Sequence, residues 1–185
     1  MTMLDLFCGL GGASAFMRRH GWDVHGVDTD PACRPDEVTD VRTWRWASPR
    51  PDLVWASPPC LEFSRRGMPW LRAKFPGPPP LDMVLAAVRV IGECEPVRWV
   101  IENVRGSIRW LTPLLGDPVG MWGAAVLWGR FPDIGRFPVA PHKERLSSAR
   151  RRERAMVPYA ISDAFRRACE VPTLFAVGSE RVGAA

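Results

Sequence analysis

The opening segment, MTMLDLFCGLGGASAFMRRHG, joins a short apolar run to a glycine-rich turn and then to a stretch of helical character. A strand that breaks into such a turn and continues as a helix is typical of the first unit of a nucleotide-binding α/β fold. Gly9, Gly11 and Gly12 permit a tight turn and a close approach of the backbone to a ligand. We predict a helix over residues 13–19 that ends at Gly21.

Three further apolar runs end in residues that can carry chemistry. DVHGVDTD places Asp28 about 20 residues beyond the glycine turn, the spacing at which an acid meets ribose hydroxyls in such folds. The predicted strand Leu53–Ala56 runs into SPPC, and VRWVIENV ends in Glu102 and Asn103. Ligands of open α/β sheets bind beyond the carboxyl ends of the strands, so we expect these residues to border one cleft.

The middle of the chain combines a loop signal with a helix signal. Residues 65–80, RRGMPWLRAKFPGPPP, are basic and rich in proline and glycine, which predicts a mobile loop. Residues 81–95 have apolar side chains at helical spacing, which predicts a helix. The helix is expected to be amphipathic, with one face formed by Leu81, Val84, Leu85, Val88 and Ile91.

The last part of the chain completes the predicted fold. GMWGAAVLWGRF predicts one more strand, and SSARRRERAMV predicts the start of a helix that continues after Pro158. We therefore predict a Rossmann-like α/β fold, a mostly parallel sheet flanked by helices in a single domain. The domain covers residues 1–170, and residues 171–185 form a C-terminal tail. A Rossmann-like binding protein with a buried cysteine is the alternative.

Composition narrows the class of protein. The 185 residues suit one domain with a single core, and no stretch is apolar for long enough to span a bilayer. The N-terminus has no signal pattern, so we expect a cytoplasmic protein. The five cysteines are scattered without a CxxC pair, which argues against a zinc site or a disulfide framework. Each is either inert packing or a nucleophile.

The net charge of +5 favours a polyanionic partner. Arg65 and Arg66 follow the Pro-Pro-Cys step, and a second basic run, HKERLSSARRRER, extends from His142 to Arg154. That run is either a solvated helix face or a phosphate-contacting surface.

The order of these motifs resembles that of the C5-cytosine DNA methyltransferases. That family carries an Asp-Leu-Phe-x-Gly-x-Gly-Gly turn, an acid after the second strand, a Pro-Cys nucleophile and a Glu-Asn-Val triplet. The corresponding stretches here are DLFCGLGG, VD, SPPC and ENV. The resemblance covers residues 3–105. It extends more loosely to MVPYAISDAF, which is similar to the family's last motif, whose helix packs beside the first one. It implies a methyltransferase fold dependent on S-adenosylmethionine, and methylation of cytosine at carbon 5.

The resemblance also implies that Cys60 is a nucleophile. A thiolate that adds to carbon 6 of cytosine makes carbon 5 nucleophilic, so one hard step becomes several easier ones. Pro58 and Pro59 would hold the thiol rigidly. Glu102 would protonate or hydrogen-bond ring nitrogen 3 and the exocyclic amine, and Asn103 would hold the catalytic segment in place. A structural cysteine and an ordinary salt-bridge or helix-cap acid are the alternatives.

S-adenosylmethionine is the implied methyl donor. Phe7 would stack on its adenine, with core packing as the alternative, and Asp28 would bond the ribose hydroxyls. Asp40, in VTDVRTW, corresponds to the family's acid near the adenine amine. The other residues predicted to bind the cofactor belong to the glycine turn and the Pro-Pro step: Gly9, Leu10, Gly11 and Pro59.

One family motif matches poorly, the glutamine-arginine-arginine strand whose arginine touches the cytosine oxygen. PHKER offers Arg145 and LWGRF offers Arg130, and we expect Arg145 to take this catalytic and substrate-binding role. Arg65 and Arg66 are also predicted to bind the substrate. Most of the nine tryptophans are expected in the core, whereas Trp70, in the basic loop, is expected to contact nucleic acid.

Full members of the family carry a target-recognition domain between the arginine motif and the last helix, where this chain has few residues. It therefore resembles small phage-encoded relatives without that domain. We expect cytosine-containing DNA as the partner, with no membrane and no metal, and a monomer is compatible with the sequence. Methylation of cytosine in RNA or in a free nucleotide is one alternative. A catalytically silent nucleic-acid-binding module is another, although Cys60 and Glu102 argue against it.

Overall fold

The structure is a computed structural model that describes residues 1–67, 69–139 and 157–171. Its seven strands are β1 Thr2–Leu6, β2 Asp23–Asp28, β3 Glu37–Val38, β4 Leu53–Ala56, β5 Arg98–Val104, β6 Gly120–Trp122 and β7 Ala125–Arg130. They form one sheet in the order β3-β2-β1-β4-β5-β7-β6. The first five strands are parallel, and β7 runs antiparallel to both β5 and β6.

Helices cover both faces of the sheet. They are α1 Ala15–Arg19, α2 Pro69–Lys74, α3 Asp82–Cys94, α4 Ile108–Leu115 and α5 Tyr159–Glu170. Helices α1 and α5 pack on one face, and α3 and α4 pack on the other. Short 3-10 turns occupy Pro31–Cys33, Leu61–Gly67 and Arg105–Ser107. The predicted Rossmann-like architecture, a mostly parallel sheet flanked by helices, is confirmed.

Strand β4 shows why these residues form a central strand. All four of its side chains are buried. Successive side chains of a strand point to opposite faces, so Leu53 and Trp55 pack with α1 and α5, whereas Val54 and Ala56 pack with α3 and α4. A parallel strand covered on both faces needs such a continuous apolar run.

The strand order reverses direction between β1 and β4. The chain places β2 and β3 on one side of β1, and β4 and β5 on the other. In open α/β sheets this switch point opens a crevice at the carboxyl ends of the two strands. The loop after β1 and the Pro-Pro-Cys step after β4 therefore border the same crevice.

The last described helix returns to the first, as the resemblance implied. The buried Ser162 hydroxyl on α5 donates to the Ala13 carbonyl at 2.5 Å. The Trp22 indole N–H, just after α1, donates to the Glu170 carboxylate at 2.8 Å. These contacts fix α5 beside α1 and close the apolar layer on that face.

The apolar face predicted for α3 is confirmed at Val84, which is buried, and at Leu81, Val88 and Ile91, which pack against the core; it was wrong at Leu85. The buried residues of α3 are Val84, Ala86, Ala87, Val90 and Cys94, whereas Leu85 is 49 % exposed. The two alanines let the helix backbone lie close to the sheet, so small side chains face inward and the larger leucine faces outward. Helical spacing alone could not indicate which of two overlapping apolar stripes would be buried.

Two other local expectations also need correction. The single strand predicted over GMWGAAVLWGRF is the hairpin of β6 and β7, whose turn contains Gly123 at φ +63°. The loop predicted over residues 65–80 contains α2, for which Pro69 is a suitable first residue. The predicted helix start in SSARRRERAMV lies outside the described residues. Among the helices that the structure does describe, none is both long enough and apolar enough to cross a bilayer.

Gly106 tests how tightly the end of β5 is packed against the turn that follows Cys60. A Cβ atom on Gly106 would lie 2.0 Å from the Phe63 carbonyl oxygen. Gly106→Ala should therefore displace this turn and lower the free energy of unfolding by about 1–3 kcal/mol, the usual cost of overpacking. Urea denaturation measures the change.

Gly92→Ala, in α3, is the matched control. A Cβ atom there meets nothing within 4 Å, and alanine is the better helix former by about 1 kcal/mol. This variant should be as stable as the parent or slightly more stable. If both variants were equally stable, the close approach at Gly106 would not constrain the turn.

Candidate active site

The Pro-Pro-Cys step is fixed on both sides of the thiol. Before it, the Ser57 amide donates to the Leu6 carbonyl of β1 at 3.1 Å. After it, the Cys60 carbonyl accepts hydrogen bonds from the Phe63 amide at 3.1 Å, the Ser64 amide at 3.2 Å and the Ser64 hydroxyl at 3.0 Å. The two prolines restrict the backbone between these anchors, so the position of Cys60 is well defined.

Asn103 connects this step to β5. Its side chain is fully buried, and its amide donates to the Pro58 carbonyl at 3.0 Å. Its carbonyl oxygen accepts from the Val104 amide at 2.9 Å, so both ends of the side chain have partners. This geometry agrees with the predicted role of holding the catalytic segment in place.

Glu102 shares the desolvated end of the sheet with Cys60. Burial raises the pKa of the Glu102 carboxyl to about 7, and a side-chain hydrogen bond with Ser57 offsets only part of this shift. Burial, and then the negative charge of Glu102, raise the pKa of the Cys60 thiol to about 11. The two groups are therefore coupled: protonating Glu102 removes a charge that disfavours the Cys60 thiolate.

The glycine loop after β1 has an unusual backbone. Phe7, Gly9 and Gly11 all have positive φ, at +57°, +52° and +74°. This conformation is costly for a bulky residue such as Phe7, and such strain often marks a ligand site. The Asp28 carboxylate at the end of β2 holds the loop by accepting from the Gly9 amide at 2.9 Å. Its other oxygen accepts from the Asp30 amide at 2.8 Å.

Asp5 is a site residue that sequence analysis missed. It lies within β1 and is only 1 % exposed, and its Oδ2 atom has no hydrogen-bond partner among the described residues. Burial raises the pKa of the Asp5 carboxyl to about 7, despite a hydrogen bond with Ser14 and the charge of Arg18, both of which lower it. The available signal was one acid inside the apolar run MTMLDLF.

These elements form one cleft of about 2070 Å³, called the cleft below. Its walls are the glycine loop, the Pro-Pro-Cys step with the following turn, residues 75–79, the end of β5 with the start of α4, and the turn before β7. It brings together most of the predicted site residues: Phe7, Gly9, Leu10, Asp28, Pro59, Cys60 and Glu102. Gly11 borders a smaller adjoining pocket.

Other predicted residues lie elsewhere. Asp40 is not among the described residues that line the cleft, and its carboxylate accepts hydrogen bonds from Arg42 at 2.7–3.1 Å. These bonds hold the pKa of Asp40 below its ordinary value. Arg65 and Arg66 belong to the 3-10 turn after Cys60. Arg145 lies outside the described residues. No group of three potential metal ligands occurs in the described part of the chain.

Among the described side chains, the arginines that line the cleft are not the ones that the sequence suggested. Arg130, the rival of Arg145, pairs with Trp99 near the beginning of β5 and donates to the Pro96 carbonyl at 2.7 Å. It therefore lies at the amino end of β5, whereas the cleft lies at the carboxyl end. Two arginines that sequence analysis missed, Arg105 and Arg109, line the cleft and are exposed. Arg105 donates to the Gly123 carbonyl at 3.2 Å. Its position directly after ENV was the available signal.

Comparisons with known proteins agree with this arrangement. No protein-family profile matches the chain. The type II methyltransferase M.AquIA of Picosynechococcus sp. is 31 % identical over 128 residues, which cover 58 % of this chain and 50 % of that protein. A probable DNA (cytosine-5)-methyltransferase of Frog virus 3 is 32 % identical over 117 residues, which cover 56 % and 53 %. The resemblance to the C5-cytosine DNA methyltransferases is confirmed. The chain spans about half the length of these curated relatives.

The fold has a counterpart among solved structures. The methyltransferase EhMeth of Entamoeba histolytica superposes with a TM-score of 0.53 and 14 % identity. The superposition covers 80 % of this chain and 57 % of that protein. At this identity the likeness concerns the fold alone, and it confirms the predicted methyltransferase fold.

Asp5→Asn tests how the buried Asp5 carboxyl affects the stability of the protein. The raised pKa means that folded protein keeps the Asp5 proton up to about pH 7, whereas the unfolded chain releases it above about pH 4. The parent therefore loses stability as pH rises from about 4 to 7, and asparagine avoids that loss. We expect Asp5→Asn to be more stable than the parent at pH 8, by up to about 4 kcal/mol, with the difference vanishing near pH 4.

Denaturation at the two pH values measures this difference. Asp23→Asn, at the exposed start of β2, is the control and should change stability little at either pH. A pH-independent difference for Asp5→Asn would contradict a buried carboxylate at this position.

Proposed function

We propose that this chain is a DNA cytosine-5 methyltransferase, with residues 1–170 as its catalytic domain. The observation that carries the proposal is the coupled pair of Cys60 and Glu102, held by Asn103 in the same cleft as the glycine loop. The names of the two curated relatives, a type II methyltransferase and a probable DNA (cytosine-5)-methyltransferase, support it.

The cleft fits S-adenosylmethionine as the cofactor. When bound, this molecule supplies a methyl group on a positively charged sulfur. The unpartnered oxygen of Asp5 fits its ammonium group, because a buried acceptor without a donor is costly. Phe7 offers a ring for the adenine, and each carboxylate oxygen of Asp28 keeps a lone pair for a ribose hydroxyl. A role for Asp40 at the adenine would require its bonds with Arg42 to rearrange.

Cys60 and Glu102 would act together on the cytosine ring. The sulfur electron pair of the Cys60 thiolate forms a bond to carbon 6, and the electron pair of the ring double bond becomes available at carbon 5. Protonated Glu102 donates its proton to ring nitrogen 3, which prevents negative charge from building up. Carbon 5 then takes the methyl group, and S-adenosylhomocysteine is the leaving group. Loss of the carbon-5 proton to water, return of the nitrogen-3 proton to Glu102 and departure of the sulfur as the Cys60 thiolate restore the ring.

The two pKa values set how often this pair is ready to react. The reactive form needs protonated Glu102 together with ionised Cys60, the reverse of their order of titration. Such a form is a minor population at neutral pH. Because neutral Glu102 no longer disfavours the thiolate, one protonation prepares both the acid and the nucleophile.

Exposed cations around the cleft favour a nucleic acid over a free nucleotide. Arg105 and Arg109 stand on one wall, and Lys74 is exposed beside Phe75 on another. Phosphate contacts of this kind give affinity that falls as salt rises. Arg65 and Arg66 follow the nucleophile in sequence and are proposed to add to these contacts, and Arg145 remains our proposal for the cytosine oxygen.

Methyl transfer to matched substrates tests the proposed function. Purified protein and labelled S-adenosylmethionine are incubated with DNA, with RNA of the same sequence and with deoxycytidine triphosphate, and the product is identified by mass spectrometry. We expect 5-methylcytosine in DNA, and no product with Cys60→Ser, which should still bind the cofactor. Product in RNA or nucleotide but not in DNA would contradict the assigned substrate. Normal turnover by Cys60→Ser would contradict the nucleophile.

The pH dependence tests the coupled pair. For pKa values of about 7 and 11, the population with protonated Glu102 and ionised Cys60 rises up to about pH 7 and is then constant up to about pH 11. We therefore expect kcat/KM to rise to about pH 7 and then level off. Glu102→Gln should lower kcat/KM. Because a glutamine side chain does not titrate, only ionisation of Cys60 then depends on pH, and kcat/KM should continue to rise about tenfold per pH unit above 7. If the two proteins gave parallel pH profiles, titration of Glu102 would not be the cause of the pH dependence.

A further inference from the structure

Trp70 differs from every other tryptophan of the chain. All nine tryptophans lie in the described part, and eight of them are buried or half-buried in or against the two core clusters. Trp70 is 67 % exposed and belongs to neither cluster. A large aromatic ring that the fold does not bury contributes little to stability and remains available to a partner.

The position of Trp70 in the chain connects it to the cleft. The chain lines the cleft up to Ser64, leaves it, and lines it again from Phe75 onward. Trp70 lies on α2 between these two points, and α2 packs on the 3-10 turn Leu61–Gly67 that follows Cys60. Six residue steps separate Ser64 from Trp70, and they span no more than about 22 Å even when the chain is extended. Trp70 therefore lies within about 22 Å of Ser64, in the segment that joins two parts of the cleft wall.

The surroundings of Trp70 favour a nucleic acid as its partner. Lys74, on the same helix, is exposed, and its ammonium lies 5.5 Å from the centre of the Phe75 ring. Arg109, which lines the cleft, lies over Trp110 at 4.6 Å from the ring centre. A flat apolar ring near exposed cations suits a polymer that has phosphates outside and aromatic bases inside.

A cytosine inside a duplex cannot enter the cleft while it remains stacked and paired, because the cleft is concave and Cys60 is recessed in it. A protein side chain can fill the space that the cytosine leaves in the base stack. We propose that Trp70 supplies this side chain: its ring inserts into the duplex beside the target cytosine and holds the cytosine's neighbours apart while the cytosine occupies the cleft. This inference rests on the proposed function, since it takes duplex DNA as the substrate.

The role predicts a defect confined to duplex substrates. Trp70→Ala should lower kcat/KM on a matched duplex by about 10- to 100-fold, because without the ring nothing offsets the free-energy cost of unstacking and unpairing the target base. Activity on the same sequence as a single strand should change less than threefold, because no stack has to be opened. Trp70→Phe, which keeps a ring, should recover most of the duplex activity.

Two controls separate this role from a structural one. Val97→Ala removes a 43 % exposed apolar side chain just before β5, at the end of that strand opposite the cleft, and activity on neither substrate should change. A duplex with a mismatch at the target cytosine is already weakly stacked, so it should restore activity to Trp70→Ala. Equal losses on duplex and single strand, or no loss on the duplex, would overturn the assignment.

Fluorescence distinguishes failure of this inference from failure of the proposed function. A cytosine-containing duplex with 2-aminopurine beside the cytosine brightens when the stack opens. The parent protein should raise the signal, and Trp70→Ala should not. A rise without any methylation would refute the proposed function and support the role of Trp70, whereas methylation with equal signals from both proteins would refute only the role of Trp70. If the parent protein gave no rise in fluorescence and no methylation, both proposals would be refuted.

Discussion

The buried hydrogen bond from the Asn103 amide to the Pro58 carbonyl is the contact on which the candidate site depends. Pairing of Ala56 with Ile101 sets the register of β4 and β5, but it ends before the residues that carry the chemistry. Beyond it, Asn103 joins the two strand ends. Its loss would leave the buried Pro58 carbonyl without this donor and would free the Cys60 step from Glu102, so one side chain sets the geometry of the pair.

Two desolvated acids, Asp5 and Glu102, show that the candidate site reduces the stability of the fold. Asp5 on β1 and Glu102 on β5 both have carboxyls whose pKa burial raises to about 7, so each disfavours folding once it is ionised. Hydrophobic residues would stabilise these strand positions better. Charged groups that reduce stability in this way, near the crevice of an α/β sheet, are a common feature of functional sites, where local rules are broken for a chemical reason.

The placement of the strand-end residues in one cleft could be predicted from sequence, because the motifs are short and their positions follow from parallel-strand geometry. Glu102 and Cys60 share the cleft for that reason. Asp5 was missed because a single acid in an apolar run gives no sign of its missing partner. The pairing of Asp40 with Arg42, and the burial of alanines rather than Leu85, depend on three-dimensional neighbours that local patterns do not encode.

The central claim is that Cys60 attacks the base covalently, and trapping the adduct tests it most directly. DNA containing 5-fluorocytosine should become covalently attached in the presence of S-adenosylmethionine, because fluorine at carbon 5 cannot leave as the proton does. Mass spectrometry of the digested complex should locate the base on Cys60, and Cys60→Ser should form no adduct. Methylation of ordinary DNA without any adduct on the fluorinated DNA, or an adduct on another residue, would contradict the account.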